Sequence, residues 1–165
     1  MYRLAGLTLA LIALSLAAVG LLAVRIERVG EPAFVFLRWN LFLAWVPFLL
    51  SLCVAAVHGR GGPRPLLWVL GAGWLLFFPN APYILTDFIH LGRVGGAPLW
   101  FDTALIGTFA ATGLALGLGS LLIVHHVVEA RAGRVVGWAV AVSSLVLSAI
   151  GIYLGRFPRF NSWDV

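Results

Sequence analysis

Asp87 and His90 stand three residues apart, so on one helical face they can share a proton, hold a cation, or work as a general acid and base. Asn80 and Tyr83 precede them, and the spacings of three, four and three gather nearly all the polarity of that stretch into one stripe. Asp102 offers a second carboxylate. One imidazole with two carboxylates suits a hard or borderline metal, but the pattern lacks the specificity of a signature such as HExxH, and no metal site is assigned. Arginines supply the other reactive groups. Arg156 and Arg159, with Asp164 nearby, can clamp a phosphate or carboxylate, because a planar guanidinium donates to two oxygens at once. Arg38 and Asn40 close the segment Phe36 to Asn40, whose F-x-R-[WF]-N pattern returns at Phe157 to Asn161. The echo reads first as two interfacial anchors, arginine toward acidic headgroups and the ring at the membrane surface. No GxSxG elbow, P-loop or dinucleotide fingerprint accompanies these groups, and the cofactor is left unknown.

The elements that must position these side chains are membrane helices. The chain is 62% hydrophobic and 10% charged, with a mean hydropathy of +1.03. Its apolar residues fall into blocks matching the roughly 20 residues that cross a bilayer. Spans are expected at about Leu4 to Val24, Ala33 to Val57, Leu66 to Leu91, Leu99 to Val124 and Val135 to Gly155. This is an all-α bundle of five crossings forming one integral-membrane domain over residues 1–165. The first block lacks a compact polar region and a small-residue cleavage site, so it is kept as a helix. Inside lipid the polar stripe is expensive, roughly 2.5–3.5 kcal/mol for a central Asp on insertion scales unless it meets a partner, water or the interface. It therefore marks a candidate site.

Five crossings bring Arg38 and Asn40, Asp87 and His90, Asp102, and Tyr153 with Arg156 to one membrane face, whichever face is outside. Collection of polar residues at helix ends is the competing explanation, since the opposite connections hold His58, His125 and His126. Pro79 and Pro82 predict a break or kink near Phe78 to Ala81, with Asn80 able to cap a restarted helix from about Ala81 to Leu91. Gly137, Ala141, Ser144, Ser148, Gly151 and Gly155 form a small-residue seam on the last span, and Ala110, Gly113, Gly117 and Ser120 a shorter one on the fourth. Such faces let helix backbones approach closely.

All eleven basic residues are arginine, which suits GC-rich codon usage. The net charge of +5 sits mostly in short connections, where it sets orientation and does not indicate nucleic acid. Cys53, the one cysteine, lies in an apolar block and reads as a packing residue. The arginines are nearly balanced between the two sides. Setting aside Arg38, Arg156 and Arg159 as members of polar motifs leaves a modest case for a cytoplasmic amino terminus.

LRWNLFLAWVPFLLS, FFPNAPYILTDFIHL, WFD at Trp100 to Asp102, and GIYLGRFPRFNSWDV together resemble the bacterial domain-of-unknown-function family 1361, over most of the chain after the first helix. The resemblance implicates Arg38, Asn40, Asn80, Tyr83, Asp87, His90, Asp102, Arg156, Arg159, Asn161 and Asp164. It implies a polytopic protein of the bacterial inner membrane and supplies no reaction, substrate or cofactor. The chain ends directly after NSWDV, where a further connection and at least one more helix are expected, so truncation would leave the site or its lid incomplete. Three activities stay open. A membrane enzyme acting on a lipid or lipid-linked group would use Asp87 and His90 for proton transfer and Arg156 or Arg159 for an anionic headgroup. A proton- or ion-coupled transporter would need a wet path past the Pro79 to Pro82 break. A scaffold or assembly factor would use the seams around Gly113, Gly117, Gly151 and Gly155 for contacts with membrane partners, in homo- or hetero-oligomers, and the polar cluster to fix helix ends. Membrane lipids are the expected surroundings in each case.

Overall fold

The computed structural model describes residues 2–92 and 95–156. Its helices are α1 (Tyr2–Val29), α2 (Phe36–Gly59), α3 (Arg64–Phe77), α4 (Asn80–Tyr83), a 3₁₀ segment (Ile84–His90), α5 (Leu99–Ala132) and α6 (Arg134–Arg156). The run from Arg64 to His90 counts as one span, so five helical stretches among the described residues are long and apolar enough to cross a membrane. No strand occurs among them.

α5 is the central helix: 56% of its apolar window is buried, against 17–33% for the other four spans. Leu105, Ile106, Phe109 and Leu116 of α5 pack with Leu37 and Phe48 of α2, Leu11 and Leu22 of α1 and Ile84 of the third span in one core. Trp74, Phe78, Leu121, Val124 and Ala141 build a second core from α3, α5 and α6. Leu9, Leu16, Trp68, Leu76 and Val146 point outward, as lipid-facing side chains must. At 34 residues α5 is about 50 Å long, well beyond a hydrocarbon core of about 30 Å. Its last turns, with His125, Glu129 and Arg131, therefore extend past the span expected from hydropathy alone.

The bend in the third span follows from its two prolines. Pro79 and Pro82 bring no N–H, and the Ala81 N–H turns to Phe78 O at 3.2 Å instead of Phe77 O one residue further back. Asn80 Nδ2 donates to the Phe77 carbonyl so released, at 3.0 Å. Asn80 is thus structural, but not as a cap: Pro79 holds the N-cap position of α4, without a side-chain cap hydrogen bond. An α-helix over Ala81 to Leu91 does not restart either, because a four-residue α-turn passes directly into the tighter 3₁₀ segment.

The small-residue seams close on this bend from two sides. A Cβ at Gly113 would lie 2.6 Å from the Ala81 carbonyl oxygen, and one at Gly117 3.1 Å from the Ala81 Cβ. On the other side, Gly151 faces the Pro79 ring and Gly155 the Tyr83 ring, at 3.5 and 3.9 Å from an added Cβ. The glycines nearest the bend therefore serve the third span, while Gly137 faces α5 at His125 and Glu129. Ser144 and Ser120 donate to carbonyls of their own helices, at 2.8 Å each. Ser120 also accepts from the Trp74 indole at 3.1 Å, which ties α3 to α5.

Candidate functional site

Asp87 is the buried centre of the site, 1% exposed in the 3₁₀ segment. The Asn40 amide on the first turns of α2 donates to Asp87 Oδ2 at 2.7 Å. From the last residue of α6, Arg156 Nη1 lies 3.5 Å from Asp87 Oδ1. The same guanidinium donates to Tyr83 Oη at 3.2 Å and to Thr86 O at 2.8 Å, and its carbon stands 5.5 Å from the Tyr83 ring centre. Its Nη2 also meets His90 Nε2 at 3.3 Å. Arginine has no lone pair to offer, so in this contact the guanidinium can only donate. The helical spacing aligns Tyr83, Asp87 and His90, the bend aims them toward the end of α6, and α2 supplies Asn40 from the far side.

Asp102 does not join this group. Arg25, near the end of α1, donates from Nε to Asp102 Oδ1 at 2.7 Å and from Nη2 to Oδ2 at 3.1 Å, a two-pronged pair with both side chains at most 3% exposed. The guanidinium carbon lies 4.6 Å from the Phe34 ring centre. Phe34 sits at φ +63°, an uncommon conformation for a bulky residue, and is buried. Its ring approaches Phe36 at 6.2 Å, and Phe36 meets the His90 imidazole edge-on at 5.1 Å. Two polar networks thus stand at one end of the bundle, joined through Phe34 and Phe36. Hydropathy ends the first span at Val24, but α1 runs a turn further, to Val29, and carries Arg25 inside.

Arg38 is exposed, and its side chain makes no ion pair or hydrogen bond among the described residues. Arg159, Asn161 and Asp164 lie outside the described residues. Trp39, Trp100 and Tyr153 are 58–70% exposed around the polar end, where an aromatic belt belongs. At the opposite end Arg131 Nε donates to His58 Nδ1 at 2.8 Å, linking α5 to α2, and His125 pairs with Glu129 at 3.4 Å. No group of three His, Cys, Asp or Glu side chains suited to a metal occurs among the described residues.

The architecture and these networks define a multi-pass helical membrane protein whose polar groups gather where its spans end. A family model, described as "Protein of unknown function (DUF1361)", matches residues 39–165, and the chain belongs to that family. Asp102 lies within the matched region and Arg25 outside it. Comparison with curated proteins and with solved structures gives no match.

Proposed function

We propose that this protein is a membrane scaffold or assembly factor whose polar end locks its helices together. One observation carries the reading: the Asp87 carboxylate is buried and directly paired to groups from two other helices, Asn40 of α2 and Arg156 of α6. Lipid tails give helices no hydrophobic reason to associate, so packing and interhelical hydrogen bonds must hold them. Polar contacts that act in that way join Arg25 with Asp102, Asn40 with Asp87, Arg156 with the third span, Arg131 with His58, Trp74 with Ser120 and Trp45 with Ser15. Membrane lipids and other membrane helices, as copies of this chain or different ones, are its partners. The bacterial inner membrane is its location, and the amino terminus is cytoplasmic. With Arg25 and Arg156 set aside as ion-paired, Arg60, Arg64, Arg131 and Arg134 at the other end outnumber Arg28 and Arg38 at this one among the described residues, which is the direction the positive-inside rule gives the cytoplasmic side.

A second reading rests on the half-buried state of His90 and Arg156, which lie over buried Asp87. An anionic lipid group on Arg156 would meet an acid and base at Asp87 and His90, the arrangement a membrane enzyme needs. Paired replacement separates the two. Under the lock reading Asp87→Asn lowers stability by about 1–3 kcal/mol, because it strips Arg156 of its counter-charge, and Asp87→Asn with Arg156→Gln recovers much of that loss. Complementation of a deletion strain then tracks protein abundance in both variants. Loss of complementation at normal abundance in the single and the double variant alike would select the enzyme.

A further inference from the structure

We propose that the cleft between α1 and α2 at the polar end of the bundle holds a zwitterionic phospholipid of the ethanolamine type, its ammonium on Glu27, its phosphate on Arg38 and an acyl chain along α1. The cleft is a cavity of about 290 Å³ walled by Val19, Leu22, Ala23, Ile26, Glu27 and Arg38. That is close to the small end of ligand pockets, roughly 300 Å³.

Three features point to such a lipid. Although α2 follows α1 in the chain, the backbone of α1 packs chiefly against α5 and leaves α2 at a distance. The two are joined deeper in the bundle, where the Trp45 indole donates to Ser15 Oγ at 3.0 Å, one turn below Val19. Above that bond, Val19, Leu22, Ala23, Ile26 and Glu27 share one face of α1 by spacings of three and four and rise about 12 Å along it. The wall is apolar below and charged on top, the order of a phospholipid itself. At the rim Glu27 and Arg38 come from different helices, are exposed and carry opposite charges. They line the same cleft without reaching ion-pair range of each other, and neither side chain has an ion pair or hydrogen bond among the described residues. Trp39, beside Arg38 in the chain and 62% exposed, sets this rim at headgroup depth.

Charge complementarity selects the headgroup. An anionic lipid would satisfy Arg38 but hold its net negative charge beside Glu27, whereas a zwitterion pairs with both. A primary ammonium also donates hydrogen bonds to a carboxylate, which a quaternary ammonium cannot. Arg28 and Glu31, the neighbouring charges on the same connection, do not line the cleft. The site gives a class and a place to the membrane lipids proposed above as partners. It involves neither Asp87 nor Arg156, so its failure leaves the lock reading intact.

The test uses the full chain in maltoside micelles with phosphatidylethanolamine and phosphatidylglycerol of the same acyl chains added in equal amounts, and native mass spectrometry reads which lipid each chain retains. Wild type is expected to keep one phosphatidylethanolamine in preference to phosphatidylglycerol. Glu27→Gln reduces that preference about tenfold, the effect of losing one charge-assisted contact, whereas Arg38→Gln weakens retention of both lipids. Ala23→Phe, which fills the cleft without altering charge, also weakens both. Arg64→Gln, which removes an arginine at the opposite end, leaves the wild-type pattern. The comparison of the two lipids on wild type needs no variant, so the outcome does not hang on the folding of any one of them. Equal retention of the two lipids by wild type, or a preference for phosphatidylglycerol, overturns the proposal. So does a preference that survives Glu27→Gln unchanged, or an equal loss in Arg38→Gln and Arg64→Gln.

Discussion

Arg25 and Asp102 form the most buried charge pair described in this chain, and the two polar ends differ in how they answer to substitution. Arg25 is 0% exposed, whereas Arg156 keeps 15% of its side chain accessible. Asp102→Asn strands a guanidinium that cannot reach water and is expected to cost about 3–5 kcal/mol. Asp87→Asn should cost less, because Arg156 retains the Thr86 carbonyl and the Tyr83 hydroxyl. Denaturation of both variants in micelles checks the ranking, and a smaller loss for Asp102→Asn would contradict it. Asn40, Tyr83, Asp87, His90 and Arg156 were legible from sequence because polar groups are scarce in so apolar a chain and a helical repeat aligns those on the third span. Arg25 was not. It stands among Glu27, Arg28 and Glu31, where a charge looks like part of a solvated connection, and only the partnerless Asp102 at the start of a long apolar run hinted that a cation was missing. Phe34, which covers the guanidinium at a positive φ, left no sequence signal, since backbone conformation at one aromatic residue is set by what it packs against.

The third span shows how a bend and a small-residue seam can each be legible in sequence while the element that the seam receives is not. Pro79 and Pro82 announced a bend, which is present, and the glycine pattern announced close backbone approach, which is also present. The small residues nearest the bend, however, receive the third span and do not simply join the fourth and last helices to each other. This makes Gly113 the sensitive position, because an added methyl group would meet a backbone carbonyl oxygen at 2.6 Å, while at Gly151 it would meet the Pro79 ring at 3.5 Å. Gly113→Ala should lower stability by about 1–3 kcal/mol, the usual cost of overpacking, and Gly151→Ala by much less. Melting temperatures in micelles measure this, and equal shifts would show that the bend yields around Gly113. Asn80 was expected to cap free amides, yet it serves a free carbonyl. The asparagine side chain offers both a donor and an acceptor, so spacing could not say which backbone group it would satisfy.

For the molecule as a whole, orientation is the property with the plainest test. With Cys53→Ala as background, a cytoplasmic amino terminus predicts that an impermeant maleimide labels Glu31→Cys in intact cells and leaves Arg60→Cys unlabelled until the membrane is opened. The reverse pattern would invert the bundle. Sequence by itself determined that five helices cross, where the third bends, and which face collects the polar groups, because the length of an apolar block and the parity of crossings are properties of a single chain. Tertiary structure alone decided that α5 is central, that the carboxylates of Asp87 and Asp102 serve separate networks, and that Arg25 belongs inside. Those outcomes depend on which helix faces which, and neighbours distant in sequence are chosen by side-chain fit and by the need to pair every buried charge.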